Sequence, residues 1–223
     1  MSTSMKRVII ICEGLTEKEF CKDVLEPFFI RQNISIQTPL IKKSGGGIVP
    51  WINLKAQIIS LLKQDISALV TTLIDYYGIP ARFNYPQWES AHKEGDKTKR
   101  MAILEEGMKN DIPENLRTRF LPYLQLHEFE GLLFCDINVL KSNFPVSEIN
   151  DYENFERVFE EYPNPEEIND QPQSAPSSRL LYHLKNYDKV VMGPILAQET
   201  GLSKIREKCP RFNQWIDNIE NYS

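Results

Sequence analysis

An α/β fold is predicted for this chain: a mostly parallel sheet flanked by helices, with a helical C-terminal region. Three observations predict it. Short apolar, β-rich runs alternate with segments of helical periodicity through about residue 134. Two of those runs share a grammar of buried strand, carboxylate and turn: Val8-Ile9-Ile10-Ile11-Cys12 ends on Glu13-Gly14, and Leu69-Val70-Thr71-Thr72-Leu73-Ile74 ends on Asp75 before Tyr76-Tyr77-Gly78. Beyond residue 188, Ile195, Leu196, Ile205, Phe212, Trp215, Ile216 and Ile219 recur at helical spacings and predict a helical closing region.

Residues 7–12 read as the first strand. Residues 16 to about 31 read as the first helix, with Phe20, Val24, Leu25 and Phe28 on one face, Thr16 and Glu19 in a capping-box pattern, and Pro27 as a kink or early end. Residues 34–41 alternate as a second strand, which Pro39 assigns to an edge or a strand end. The turn Lys42-Lys43-Ser44-Gly45-Gly46-Gly47 leads into a helix from Trp51 to about Asp65. A glycine-rich turn between strand and helix can present backbone N–H groups to an anion, although it lacks the spacing of a Walker loop. Residues 67–74 form the next strand. Residues 92–110 read as a helix with a basic face (Lys93, Lys97, Lys99, Arg100). Residues 119–126 read as a strand that runs directly into His127-Glu128-Phe129-Glu130, and residues 129–141 begin a helix with Asp136 as a cap. An acidic stretch, residues 147–173, contains a short helix over 152–161, and Pro176-Ser177-Ser178-Arg179 precedes a helical segment through about Tyr187. Two regions are expected: an α/β domain over residues 1–145, and a mainly helical extension over 146–223 packed on it as one structural unit.

The totals exclude several classes. The chain has 223 residues, a net charge of −5 and 26% charged residues, ordinary values for a globular domain and not those of a basic nucleic-acid binder. Its four cysteines (12, 21, 135, 209) include no Cys-x-x-Cys pair, which argues against zinc-ribbon and thioredoxin readings. A reduced, cytoplasmic protein without a signal peptide or membrane span is the simplest expectation.

Parallel strands point their carboxyl ends the same way, so Glu13, Asp75 and the pair Glu128/Glu130 become candidates for one shared edge, with Glu17 a further metal candidate in the first turn of the following helix. If residues 127–130 are extended, alternation puts Glu128 and Glu130 on one face. Converging carboxylates repel one another unless a cation neutralises them, and hard oxygen ligands favour Mg²⁺ or Mn²⁺. Such an ion can orient a water and stabilise charge on a phosphodiester. Lys43, Ser44 and Gly45 are the candidates for phosphate contact. His127 is expected to pack or support the site; His92 and His183 are expected at the surface.

Four motifs, "ICEGLTEKEF", "TTLIDYYGIP", "YLQLHEFEGLLF" and "PRFNQWI", resemble the bacterial domain of unknown function 4276, a family regarded as Toprim-like. The resemblance implies a Toprim-like, Rossmann-like sheet and Mg²⁺-dependent phosphodiester chemistry on nucleic acid, with a distant relation to OLD-type nucleases. It also implies a partner ATPase in anti-phage defence, by analogy with other Toprim nucleases. Glu13 matches the Toprim glutamate and Asp75 the first aspartate of its Asp-x-Asp. Position 77 is Tyr where that pattern has its second aspartate, and Glu128 or Glu130 is the candidate to supply the missing oxygen. Three readings therefore stand: a nuclease or nuclease subunit, a non-catalytic binding subunit, and a hydrolase of a small phosphate compound.

Overall fold

The computed structural model describes residues 5–42, 47–168 and 172–222. Among them, five strands pair in parallel: β1 (Lys6–Cys12), β2 (Ile34–Gln37), β3 (Leu69–Asp75), β4 (Phe120–Leu121) and β5 (Leu124–Gln125). Their spatial order is β2-β1-β3-β4, and β5 takes over beside the carboxyl end of β3. The expected α/β fold with a mostly parallel sheet is what forms. β2 is an edge strand that stops before Pro39, since proline cannot donate to a ladder.

Alternation along β1 builds two cores. Val8, Ile10 and Cys12 face one side, Ile9 and Ile11 the other. The first side is covered by α1 (Leu15–Phe20), the π-helical turn that follows it (Cys21–Leu25) and α2 (Glu26–Ile30), through Phe20, Leu25 and Phe29. The second is covered by α3 (Trp51–Gln64), through Leu54, Ile58 and Leu62. After β3 the chain forms α4 (Trp88–Lys93), α5 (Lys97–Asn110) and α6 (Glu114–Arg117), and Met101, Leu104 and Met108 of α5 join the second core. Residues 92–110 are thus two helices and not one, broken at Gly95 with Asp96 capping α5 through the Lys99 N–H (3.0 Å).

The chain then runs through a 3₁₀ helix (Phe129–Cys135), α7 (Ile137–Asn143), α8 (Tyr152–Glu161), α9 (Pro176–His183), α10 (Lys189–Thr200), α11 (Leu202–Lys208) and α12 (Pro210–Glu220). Asp136 caps α7 as expected, accepting from the Asn138 N–H at 2.9 Å. Leu196, Phe212, Trp215, Ile216 and Ile219 complete the first core together with β1 residues, so the C-terminal helices share a core with the sheet. Trp215 donates its indole N–H to Thr71 Oγ1 (2.8 Å), which satisfies a hydroxyl in the middle of a fully buried strand.

Three local expectations are corrected. The first helix contains a π-helical turn, Cys21–Leu25, whose wider i→i+5 bond (Glu26 N–H to Cys21 O) lets the helix pass Pro27 without the usual carbonyl clash. Residues 119–126 are two short strands separated at Pro122, because proline has no N–H to continue the ladder. His183 is buried, not at the surface: its ring stacks on Phe155 at 4.9 Å and Nδ1 sits 2.7 Å from the Asn150 carbonyl. His92 is exposed, as expected, and packs on Trp88 beside Tyr76.

Candidate functional site

The strand order makes a crevice before any side chain is considered. From β1 the chain steps to β2 on one side through α1 and α2, then returns past β1 to β3 through α3 on the opposite face. The connections leaving β1 and β3 therefore diverge to opposite faces. In open α/β sheets, such a switch point at the carboxyl ends of the strands is where ligands bind. Glu13 and Asp75 stand at those two ends.

They are linked directly. The Asp75 N–H donates to Glu13 Oε2 at 3.0 Å, and the Glu13 N–H donates to the Leu73 carbonyl at 3.2 Å. Asp75 turns its Oδ1 to the Phe129 N–H (2.9 Å) and so fixes the start of the 3₁₀ helix against β3. Glu17 accepts from the Gly14 N–H at 2.8 Å. Gly14, not Thr16, is the N-cap of α1; a Cβ there would come within 3.2 Å of Glu17 Oε2, so the capping carboxylate would have to shift by a few tenths of an ångström. Thr16 instead packs against α10, where the Cβ position of Gly193 lies 3.1 Å from Thr16 Cγ2.

The 3₁₀ helix decides between the two remaining glutamates. An extended segment would have put them on one face; the helical turn separates them instead. Glu130 is fully buried at 0% exposure and faces the cluster, with Oε1 2.8 Å from Lys189 Nζ. Glu128 accepts from the Ser177 N–H (2.9 Å) in the first turn of α9, while its charge still reaches Glu130. Glu128→Ala is expected to cost about 1 kcal/mol in chemical denaturation, the ordinary penalty when a helix's first turn loses its acceptor.

Glu13, Glu17, Asp75, Glu130 and Lys189 lie close enough to act on one another's charges. Burial pushes the Glu13 carboxyl up to about 7; the Asp75 N–H and Lys189 oppose this, and Glu17 and Glu130 add to it. Asp75 is pushed well above the usual carboxylate range by burial and then by Glu17, Glu13 and Glu130. Burial also raises Glu130, against the pull of Lys189. Burial pulls Lys189 down, but Glu130, Asp75 and Glu17 outweigh it and leave the ammonium above its ordinary value. Lys189 thus bears on all four acidic side chains.

That charge balance bears on metal binding. The donors are the hard oxygens that suit Mg²⁺ or Mn²⁺, and neither oxygen of Glu130 has a hydrogen-bond partner among the described residues, Oε1 having only the Lys189 ion-pair contact. The donor set fits a divalent ion, although among the described residues no three His, Cys, Asp or Glu side chains stand in an arrangement that would hold one. Lys43, Ser44 and Gly45 lie outside the described residues. The end of that glycine-rich turn does approach the cluster: the Cβ position of Gly47 is 4.0 Å from Glu13 Oε1, and buried Tyr85, which bonds the Val49 carbonyl, feels the Glu13 charge. Tyr77, at the position of the second aspartate, uses its N–H to bond the His127 carbonyl (3.0 Å), and His127 is buried.

Lys189 was not among the residues expected at the site. A signal for it exists: Asp188 is an N-cap, accepting from the Val190 and Val191 N–H groups, and a lysine in a first helical turn opposes the helix dipole. Such a placement calls for an anionic partner.

Fold and site together define an α/β protein that carries a buried carboxylate cluster, with one ammonium, at the switch point of a parallel sheet. The model of the family described as domain of unknown function (DUF4276) matches residues 12–220, and the chain belongs to that family. No curated protein and no solved structure matches it. No helix among the described residues is long and apolar enough to cross a membrane.

Proposed function

We propose that the protein is a Toprim-like, Mg²⁺- or Mn²⁺-dependent nuclease or nuclease subunit that acts on phosphodiester bonds of nucleic acid. The observation that carries this reading is the meeting of Glu13 and Asp75, from the ends of two adjacent parallel strands, with Glu17 and Glu130 in one electrostatic group. Glu13, Asp75 and Glu130 would hold the ion, and Glu17 supports Gly14 at its edge. A bound ion would orient water and offset charge on the phosphodiester. The glycine-rich turn ending at Gly47 is placed to meet phosphate oxygens beside Glu13. Resemblance to Toprim nucleases supports a cytoplasmic role in phage defence beside a partner ATPase.

Mn²⁺ calorimetry on Glu13→Ala and Asp75→Ala tests the reading. Both variants are expected to keep the fold by circular dichroism and to lose Mn²⁺ binding at least tenfold. A folded variant that binds like the wild type overturns it. Tyr77 in place of the second aspartate favours a second reading, a metal-binding but non-cleaving subunit. In that case Mn²⁺ binds, yet plasmid and RNA stay intact even with the ATPase present.

A further inference from the structure

We propose that Lys189 is the resident counter-cation of the carboxylate cluster, and that a divalent metal ion takes the site by displacing its ammonium group from Glu130. This inference rests on the metal-binding reading above.

The two partners of the ion pair differ in freedom. Glu130 is fully buried on the 3₁₀ helix, whereas the Lys189 side chain is 43% exposed. The Lys189 backbone is held: it is the first residue of α10, capped by Asp188, and α10 lies close against α1 where Gly193 faces Thr16. Its four-carbon stem is flexible, and an ammonium binds as a point charge without the fixed fork of a guanidinium. The movable partner is therefore the cation. Released from Glu130, it has an open route to water; the carboxylate has none.

Among the described residues only Glu130 touches the ammonium; Glu13, Glu17 and Asp75 feel its charge from farther off, and neither Glu130 oxygen has a hydrogen-bond partner among the described residues. A divalent ion offers shorter bonds and twice the charge, so it competes for the same oxygens. Metal-free protein would then keep its cluster neutralised and closed, and metal binding would swing Lys189 toward the mouth of the crevice. There it would face an incoming anionic ligand.

Two measurements test this on the full chain. In calorimetry with Mn²⁺, Lys189→Met, which keeps the stem and removes the charge, is expected to bind at least fivefold more tightly than wild type. Lys189→Gln carries the same comparison if the Met variant does not fold. In wild type, the Lys189 side-chain ¹⁵Nζ resonance is expected to move toward that of solvent-exposed lysines as Mg²⁺ is added. Equal or weaker Mn²⁺ binding by the neutral variants overturns the inference and leaves the metal reading intact. So does a Lys189 resonance that stays fixed while Mg²⁺ binds. Absence of metal binding in every protein overturns both.

Discussion

Metal-free Glu13→Gln protein is expected to be more stable than wild type above pH 7, by on the order of 2 kcal/mol, with the difference closing as the pH falls toward 4. The sign follows from linkage. Glu13 is raised from its ordinary range to about 7 in the folded protein, first by burial. Folded protein therefore holds that proton more tightly than unfolded chain, and Glu13 favours folding below the ordinary carboxylate value. That contribution is lost as the pH rises through about 7. A shift of this size is worth roughly 3 kcal/mol at most, and partial exposure of Glu13 reduces it. Glutamine stays neutral and can still accept the Asp75 N–H, so it removes the charge without removing the strand link. Asp75 and Glu130 shift in the same direction and steepen the wild-type slope. Glu166 is a separate contributor: it is buried against the first turn of α12, accepts from the Arg211 and Phe212 N–H groups (2.8 and 3.1 Å), and is also raised by burial to about 7. Urea denaturation from pH 4 to 9 is the measurement. Glu13→Gln should flatten the decline only in part, and addition of Glu166→Gln should flatten it further. A Glu13→Gln curve parallel to wild type across that range would show that Glu13 does not titrate against the cluster.

Arg211→Met is expected to destabilise the protein by about 3 kcal/mol, the low end of the cost of leaving a buried ion-pair partner alone, because the pair is partly exposed. Arg211, at the start of α12, reaches Glu105 Oε1 at 2.6 Å and the Leu124 carbonyl at 3.2 Å, and its guanidinium stands over the Tyr123 ring. One side chain thereby ties the last helix to β5 and α5. Glu105, raised by burial and held down by Arg211 and the Leu124 N–H, would keep only the N–H of Leu124. The penalty should be smaller when both charges are removed. Glu105→Gln/Arg211→Met is expected to recover more than half of the loss in a double-mutant cycle. Additive losses would mean that Arg211 acts through packing and not through Glu105.

Much of this molecule was legible in the chain. The buried strands ending on Glu13 and Asp75 could be read because a strand buried on both faces is a continuous apolar run, and a charge at its end breaks that run visibly. Asp136 and the helix over 152–161 could be read because caps and helical periodicity are local. The misreadings share a different cause. Residues 127–130 look extended by alternation, but the extended run ends at Glu128; the Asp75 carboxylate accepts the Phe129 N–H, and a 3₁₀ helix starts there and carries Glu130. Thr16 looks like a cap by residue type, yet its side chain is buried where α10 crosses α1. His183 looks like a surface residue until Phe155 covers it.

By itself, the sequence determined the α/β class, the parallel strands and the carboxylates at their ends, because strand burial, turn chemistry and helix caps depend on residues near one another in the chain. Which carboxylates meet, and which cation answers them, only the tertiary structure decided. Glu130 and Lys189 are 2.8 Å apart in space but come from a 3₁₀ helix and the start of α10, and Glu13 meets Asp75 across the β1–β3 pairing. Charge interactions in a buried site depend on distance and on exclusion of water, and neither is set until the helices close over the sheet.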